Sequence, residues 1–132
     1  MDAGERLLYE GIPPDFSTIP DLVTAIDGTG SNNVRFGEDA GSGITGGTDN
    51  TAVGYAAANA LTTANYSTAV GKNALLVATT GDSNTMVGWG AGDAITTGAS
   101  NVGMGHGALG GVTTASNNTA VGHFAGLAIT TG

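Results

Sequence analysis

From residue 33 to residue 132 the chain repeats one pattern of apolar, polar and small residues every seventeen residues. Each repeat holds a glycine, an alanine three residues later and a threonine eight residues later, and the glycines are Gly37, Gly54, Gly71, Gly88, Gly105 and Gly122. No insertion or deletion interrupts this spacing. A short fixed period is typical of a solenoid, in which one coil cannot bury its own apolar side and depends on the coils stacked above and below it.

Within each coil we number the positions from 1 to 17, with Asn50 at position 1 and Gly54 at position 5. Positions 2 and 4 are apolar or β-branched and alternate about position 3, which is typical of a strand closed by glycine. The pattern predicts that positions 2 and 4 face the core, with Val53, Val70, Val87 and Val121 inward. It also predicts a second short strand at position 12 and the threonine after it; position 12 is Ile44, Leu61, Ala78, Ile95, Val112 and Ile129.

The chain therefore divides into an N-terminal segment, residues 1–32, and a parallel β-solenoid of six coils, residues 33–132. The N-terminal segment holds all three prolines, six of the eleven acidic residues and none of the repeat. Pro20 to Ile26 predicts one short helix, since proline suits a first helical position and Gly28 follows as a stop.

We interpret residues 1–32 as an attachment or oligomer-starting segment, and the alternative is a loosely ordered tail. Its apolar residues are expected to contact a partner protein or the sister chains. These candidate anchor residues are Leu7, Leu8, Tyr9, Ile12, Phe16, Leu22, Val23 and Ile26.

Composition and charge narrow the classes of function. The net charge of −8 argues against binding to nucleic acid or to an anionic membrane. The chain has no cysteine for a disulfide or a thiolate metal site, and no apolar run long enough to span a bilayer. Because residues 1–5 are acidic where a secretory signal would be basic, we expect synthesis in the cytoplasm without a signal peptide.

The core of a single chain is expected to be small, because the repeats are rich in glycine and alanine and the coils are thin. Apolar burial within one chain falls short of the ordering cost of its residues, and an uncapped solenoid end exposes unpaired backbone groups. We therefore expect either an oligomer or the front part of a longer fibre.

Three segments carry a family resemblance: Thr51-Ala52-Val53-Gly54, Thr68-Ala69-Val70-Gly71 and Thr119-Ala120-Val121-Gly122. They resemble the head repeats of YadA-type trimeric autotransporter adhesins and the related repeats of bacteriophage tail and head fibres, over about three quarters of the chain. The resemblance implies an all-β, left-handed β-roll and a homotrimer built around a threefold axis.

Two departures place the chain nearer to the virus fibres than to the adhesins. Its period of seventeen is longer than the usual adhesin coil, and it lacks the signal peptide and membrane anchor of that family. The implied function is a structural fibre of a virus particle, a phage tail or head fibre, that contributes to attachment to the host surface. Residues 1–32 would join it to another virion protein. A fragment of a cell-surface adhesin is an alternative.

Position 6 varies between coils while its neighbours hardly do. The candidate contact column there is Tyr55, Lys72, Trp89, His106 and His123, preceded by Glu38. In stacked coils these side chains would follow one another about 4.8 Å apart on an outward face, which suits contact with a host-surface glycan or protein. The alternatives are a freely varying surface column or packing against the next subunit. A zinc site at His106 and His123 is disfavoured, because zinc takes three or four ligands.

No enzymatic activity, cofactor or metal is expected. Gly105 to Gly110 fits the dinucleotide fingerprint, but no acidic residue follows at the required distance. No serine or threonine has a matched histidine and acid, so no catalytic triad is predicted.

Ice binding is a further alternative. It is suggested by the position-13 threonines from Thr45 to Thr130 and by a second rank at position 14: Thr63, Thr80, Thr97, Thr114 and Thr131. Adjacent residues of a strand point to opposite faces, so only one of these ranks could meet ice.

Overall fold

Six strands of three residues, one in each coil, form a single parallel sheet in chain order in the computed structural model, which describes residues 32–131. These residues are all-β and wind into a β-solenoid of about five turns. The strands are β1 (Val34–Phe36), β2 (Thr51–Val53), β3 (Thr68–Val70), β4 (Thr85–Val87), β5 (Val102–Met104) and β6 (Thr119–Val121). The predicted helix at Pro20 to Ile26 lies outside the described residues.

Every strand pairs with the next in the register that the repeat predicts. Val53 lies opposite Val70, and Val70 lies opposite Val87, so partners are seventeen residues apart. The same register holds from β1 to β6. The prediction of parallel pairing between residues seventeen apart is therefore confirmed.

The prediction of which strand positions face the core is wrong. Position 3 points inward, and Ala52, Ala69 and Met86 there are fully buried. Position 4 points out of the solenoid: Val53 and Val70 are half-buried, while Val87 is 37% exposed and Val121 is 70% exposed. Successive side chains of a strand alternate between its faces, so a shift of one residue reverses every assignment. In a strand of three residues the period alone cannot choose between the two faces.

The second predicted strand does not form, and that prediction is also wrong. Positions 5 to 12 consist of two successive turns, closed in the second coil by Ala57 N donating to Gly54 O (3.2 Å) and Leu61 N donating to Ala58 O (3.2 Å). Ala56 and Ala58 adopt left-handed conformations, with φ of 52° and 51°. Such residues bend the chain away from extended geometry, and no helix forms in residues 32–131 either.

Position 12 nevertheless belongs to the core. Its side chains pack with the position-8 alanines and with the long side chains of position 9, which come from the turns. The largest fully buried apolar side chains are Leu61, Leu75, Met86, Ile95, Leu109 and Val112. The remaining interior is filled mainly by alanine, so the coil is narrow.

A ladder of buried polar side chains runs along the solenoid at position 1. Asn50 Nδ2 donates to Asn33 Oδ1 (3.0 Å) and to Ala64 O (2.8 Å), and Asn50 Oδ1 accepts from the backbone N–H of Ser67 (2.8 Å). The same arrangement recurs at Asn84 and Asn101. Because buried polar groups are stable only when hydrogen-bonded, this ladder fixes the height of each coil on the next.

The glycine at position 5 allows the coils to approach closely where the chain leaves the strand. Gly88 has φ of +137°, and a Cβ atom there would lie 2.5 Å from Gly105 O. No side chain fits in that space. The glycine therefore sets both the backbone conformation and the coil spacing.

Candidate functional site

The contact column predicted from position 6 lies at the surface. Each residue directly follows the glycine that ends a strand, so the backbone carries its side chain out of the sheet. Trp89 is 55% exposed, Tyr55 and His123 are exposed, and His106 is half-buried.

The coil spacing stacks these side chains on one another. The rings of Trp89 and His106 have centroids 4.3 Å apart and planes inclined by 22°, and the next pair, His106 and His123, are 4.8 Å and 26°. Phe124 extends the stack from position 7, with its centroid 4.3 Å from that of His123. In the second and third coils of the column, Lys72 Nζ lies 5.7 Å from the centre of the Tyr55 ring.

A groove of about 330 Å³ lies beside the C-terminal part of the stack. Three glycines, Gly90, Gly107 and Gly110, line it, and its side chains come from four successive coils. They are Asn73, Trp89, Asp93, His106, Phe124 and Leu127. The groove thus combines aromatic and apolar surface with one carboxylate and one amide.

Asp93 is the charged group of the groove. Partial burial raises the pKa of its carboxyl above the ordinary value of 3.8, and hydrogen bonds from the backbone amides of Asp93 and Ala94 oppose this by less. The carboxylate lies next to two glycines: Cβ atoms built on Gly90 and Gly110 would be 3.4 Å and 3.2 Å from its oxygens. The groove therefore carries an accessible acceptor held by backbone hydrogen bonds.

The structure joins only part of the predicted column to the groove. Trp89 and His106 border it, whereas Tyr55, Lys72 and His123 do not line it. The sequence analysis missed Asn73, Asp93, Phe124 and Leu127, which lie at positions 7 and 10. The signal was present as departures from the repeat, since glycine occupies position 7 only at Gly90 and Gly107.

The two histidines stack face to face instead of converging on one point. Within residues 32–131 no three His, Asp or Glu side chains come together as a group that could hold a metal ion. No helix in the same range is long and apolar enough to cross a bilayer. The candidate anchor residues of the N-terminal segment lie outside the described residues.

The position-13 threonines use their hydroxyls within the solenoid. Thr62 Oγ1 donates to Thr79 O (2.9 Å), and Thr96 Oγ1 donates to Thr113 O (3.1 Å). The position-14 threonines are exposed, among them Thr63, Thr80 and Thr97. A third rank, Thr51, Thr68, Thr85 and Thr119 at position 2, lies on the outer face of the sheet.

Comparisons of the chain with protein-family models, with curated proteins and with solved structures returned no match.

Proposed function

We propose that this chain is a structural fibre protein of a virus particle, a phage tail or head fibre that projects from the particle and contributes to attachment to the host surface. The observation that carries the proposal is the outer face of the sheet. Its position-4 side chains follow one another along the solenoid axis: Phe36, Val87, Met104 and Val121 are exposed, and Val53 and Val70 are half-buried. Such a continuous apolar surface on a soluble chain is typical of a protein–protein interface.

The outer face fits other copies of the same chain. Positions 2 and 4 hold no charged residue in any coil, so copies of this face would meet without burying a charge. Positions 2 and 4 recur once in every coil, at the coil spacing. Parallel copies of the chain can therefore bring the same residues together along the full length of the solenoid. Most homo-oligomers close around a symmetry axis, and the family resemblance implies three copies and a left-handed coil.

A trimer of this kind would remedy the narrow core. Each chain buries mainly alanine inside its coil, and association would bury the valine, phenylalanine and methionine side chains that the single chain leaves exposed. The result would be a stiff rod with the contact column on a separate surface, since position 6 leaves the sheet after the glycine. Residues 1–32 would connect the rod to another virion protein.

Light scattering on the purified full chain tests the assembly, and the expected mass is three times that of one chain. Antibodies against residues 33–132 should label projections on purified particles in electron micrographs. A monomeric mass at micromolar concentration would contradict the trimer, and unlabelled particles would contradict the fibre.

A second candidate function, ice binding, is favoured by the position-2 threonines. Thr51, Thr68 and Thr85 lie in one regular rank on the outer face, and their hydroxyls form no hydrogen bond with other residues in the range 32–131. This rank replaces the position-13 rank, whose hydroxyls bind backbone carbonyls. Ice binding needs the face that a trimer would cover, so thermal hysteresis from a monomeric sample would favour it over the fibre.

A further inference from the structure

The groove beside Trp89 is confined to the third to sixth coils of the solenoid. Its walls come from Asn73 in the third coil up to Leu127 in the sixth. The three intervals between those coils give it a length of about 14 Å. A volume of about 330 Å³ lies at the lower end of the range for small-ligand sites.

The fold does not require glycine at Gly90 or Gly110, two of the three glycines that line the groove. Position 7 is left-handed in every coil, yet Asp39, Ala56 and Asn73 adopt it with φ of 58°, 52° and 58°. Gly90 has φ of 62°, and a Cβ atom there would have no neighbour closer than 3.4 Å. Gly110 has no positive φ, and two other coils carry leucine at its position. Gly90 therefore leaves open a space that a side chain could fill, whereas the ring of Phe124 already occupies the space beside Gly107.

The groove is also polar in a specific way. Asp93 supplies carboxylate oxygens, and Asn73 supplies an amide that can both donate and accept. Trp89, His106 and Phe124 supply aromatic surface. No lysine or arginine lines the groove, and the chain carries a net charge of −8, so an anionic ligand would be repelled.

A compact cation is also a poor fit. Both faces of the His106 ring are covered, one by Trp89 and the other by His123, and one face of Trp89 is covered by His106. Cation–π binding needs uncovered ring faces around the charge, and an ammonium group would fill only a small part of an elongated groove. A sugar chain matches better, because its pyranose rings can extend along the groove, with C–H surface for the other face of Trp89 and for the ring edges and with hydroxyl groups for Asp93 and Asn73.

We propose that this groove binds a short, uncharged oligosaccharide along the solenoid axis, with Asp93 and Asn73 as hydrogen-bonding partners of its hydroxyl groups. This inference rests on the proposed role in host attachment. It names the glycan class that the contact column would meet. It also places recognition in the third to sixth coils and leaves Tyr55 outside the site.

Trp89 is the only tryptophan in the chain, so its fluorescence reports directly on the groove. The full chain is titrated with lactose, maltotriose and chitotriose as uncharged probes. The comparison probes are 3′-sialyllactose as the anionic counterpart of lactose and tetramethylammonium as a cation. We expect saturable binding of at least one uncharged sugar and none of the comparison probes.

Two variants locate the site. Gly90→Asn fills the groove with the residue that Asn73 already places at the same position and conformation one coil below, and it should abolish the titration. Asp93→Asn keeps the shape but removes the charge, and it should weaken binding at least about tenfold, the loss expected for a hydrogen bond to a charged group. Asp39→Asn is the control for both variants. It places asparagine at position 7, as Gly90→Asn does, and replaces an aspartate, as Asp93→Asn does, but it lies in the first coil, outside the groove.

The proposal is overturned if no uncharged sugar binds, or if sialyllactose or tetramethylammonium binds instead. It is also overturned if the Gly90→Asn variant binds the sugar as tightly as the Asp39→Asn variant does. The masses of the variants and the parent are compared by light scattering. Equal masses exclude a folding or assembly defect as the cause of lost binding. The two hypotheses fail separately. Adhesion of particles that survives Gly90→Asn shows that attachment does not use the groove and leaves the fibre intact. Sugar binding by a chain whose antibodies label no projections on particles leaves the groove and removes the fibre.

Discussion

The buried asparagines at position 1 join each coil to the next by both side chain and backbone. Asn84 Oδ1 accepts from the backbone N–H of Asn101 (3.0 Å) and from its Nδ2 (3.1 Å), and Asn84 Nδ2 donates to Gly98 O (2.8 Å). Ser67 interrupts the ladder, because its shorter side chain reaches the next backbone amide only at 3.3 Å. Each asparagine therefore stabilises one joint between coils.

Replacing Asn84 with alanine should lower the free energy of unfolding by about 1–3 kcal/mol, the cost of leaving buried polar groups without partners. Urea denaturation followed by circular dichroism measures the change. Asn59→Ala is the control. The Asn59 amide donates to Ser42 Oγ (2.8 Å) at an exposed site, and its loss should cost no more than about 0.5 kcal/mol. Equal losses in the two variants would contradict a structural role for the ladder.

Asp93 should make stability depend on pH. Burial raises the pKa of its carboxyl in the folded chain above the ordinary value of 3.8, so the folded state holds the proton more tightly than the unfolded state. The resulting loss of stability is fully present above the raised pKa and disappears as the pH falls below 3.8.

Asp93→Asn should therefore melt at a slightly higher temperature than the parent at neutral pH, and the difference should vanish on acidification through that window. Melting curves of both proteins at a series of pH values measure it. A difference that grows as the pH falls would show that the charged carboxylate stabilises the fold.

At the scale of the coil, the position-5 glycine controls the step between strands. Gly88→Ala would put a methyl group 2.5 Å from Gly105 O and hold alanine at φ of +137°. The expected loss is at least about 2 kcal/mol, from backbone strain and steric conflict together. Denaturant titration measures it.

The matched control is Gly46→Ala, where the nearest atom to the new methyl group would be Thr63 Cγ2 at 3.7 Å. Its φ is not in the left-handed region, so the change should be within about 0.5 kcal/mol. If Gly88→Ala were as stable as Gly46→Ala, the close approach of the coils would not limit the fold.

The repeat was sufficient to predict the first strand of each coil and its pairing, because parallel strands at a fixed interval follow from periodicity alone. It was not sufficient to orient them. Val53 and Ala52 are equally compatible with either face of a three-residue strand, and the choice depends on the asparagine at position 1, whose bonds reach the neighbouring coils. The second strand failed for a local reason, since the chain bends at Thr62 and Thr63 and the Thr62 carbonyl accepts from three successive backbone N–H groups, those of Thr45, Gly46 and Gly47.

The candidate site was predictable to the same degree. The outward aromatic column follows from position 6 alone, and Trp89 and His106 were identified from it. The groove depends on the absence of side chains at Gly90, Gly107 and Gly110. That absence acquires meaning only when the four coils that form the walls are stacked and Asp93 is placed beside the gap.

At the scale of the whole molecule, the proposed association of chains rests on the outer face of the sheet. Val87→Asp would place a carboxylate in the middle of the proposed interface, and unpaired buried charges cost several kcal/mol. The variant should remain folded and become monomeric, as measured by light scattering.

Val77→Asp is the control for this substitution. Val77 is 36% exposed, almost the same as the 37% of Val87, but it lies at position 11, away from the sheet. It should assemble like the parent. If both variants lose assembly, the interface is not specific to the outer face of the sheet. If neither loses assembly, the outer face is not the interface.

Removal of residues 1–30 should separate folding from attachment. Because each strand within residues 32–131 pairs with strands seventeen residues away, the shortened chain should stay folded and soluble, with an unchanged circular dichroism spectrum. It should no longer join the particle, which quantitative blotting of purified particles measures. Incorporation at the normal level would show that the repeats themselves carry the attachment.

The ladder at position 1, interrupted at Ser67, and the glycine at position 5 repeat nearly the same joint from one coil to the next. Insertion or loss of one seventeen-residue coil would therefore create no new kind of contact, and it would change the reach of the rod by about 4.8 Å. The outer face and the contact column would keep their directions, because each coil returns to the same side of the axis. Length can thus vary by gene duplication in equal increments while recognition stays with the few coils that depart from the repeat.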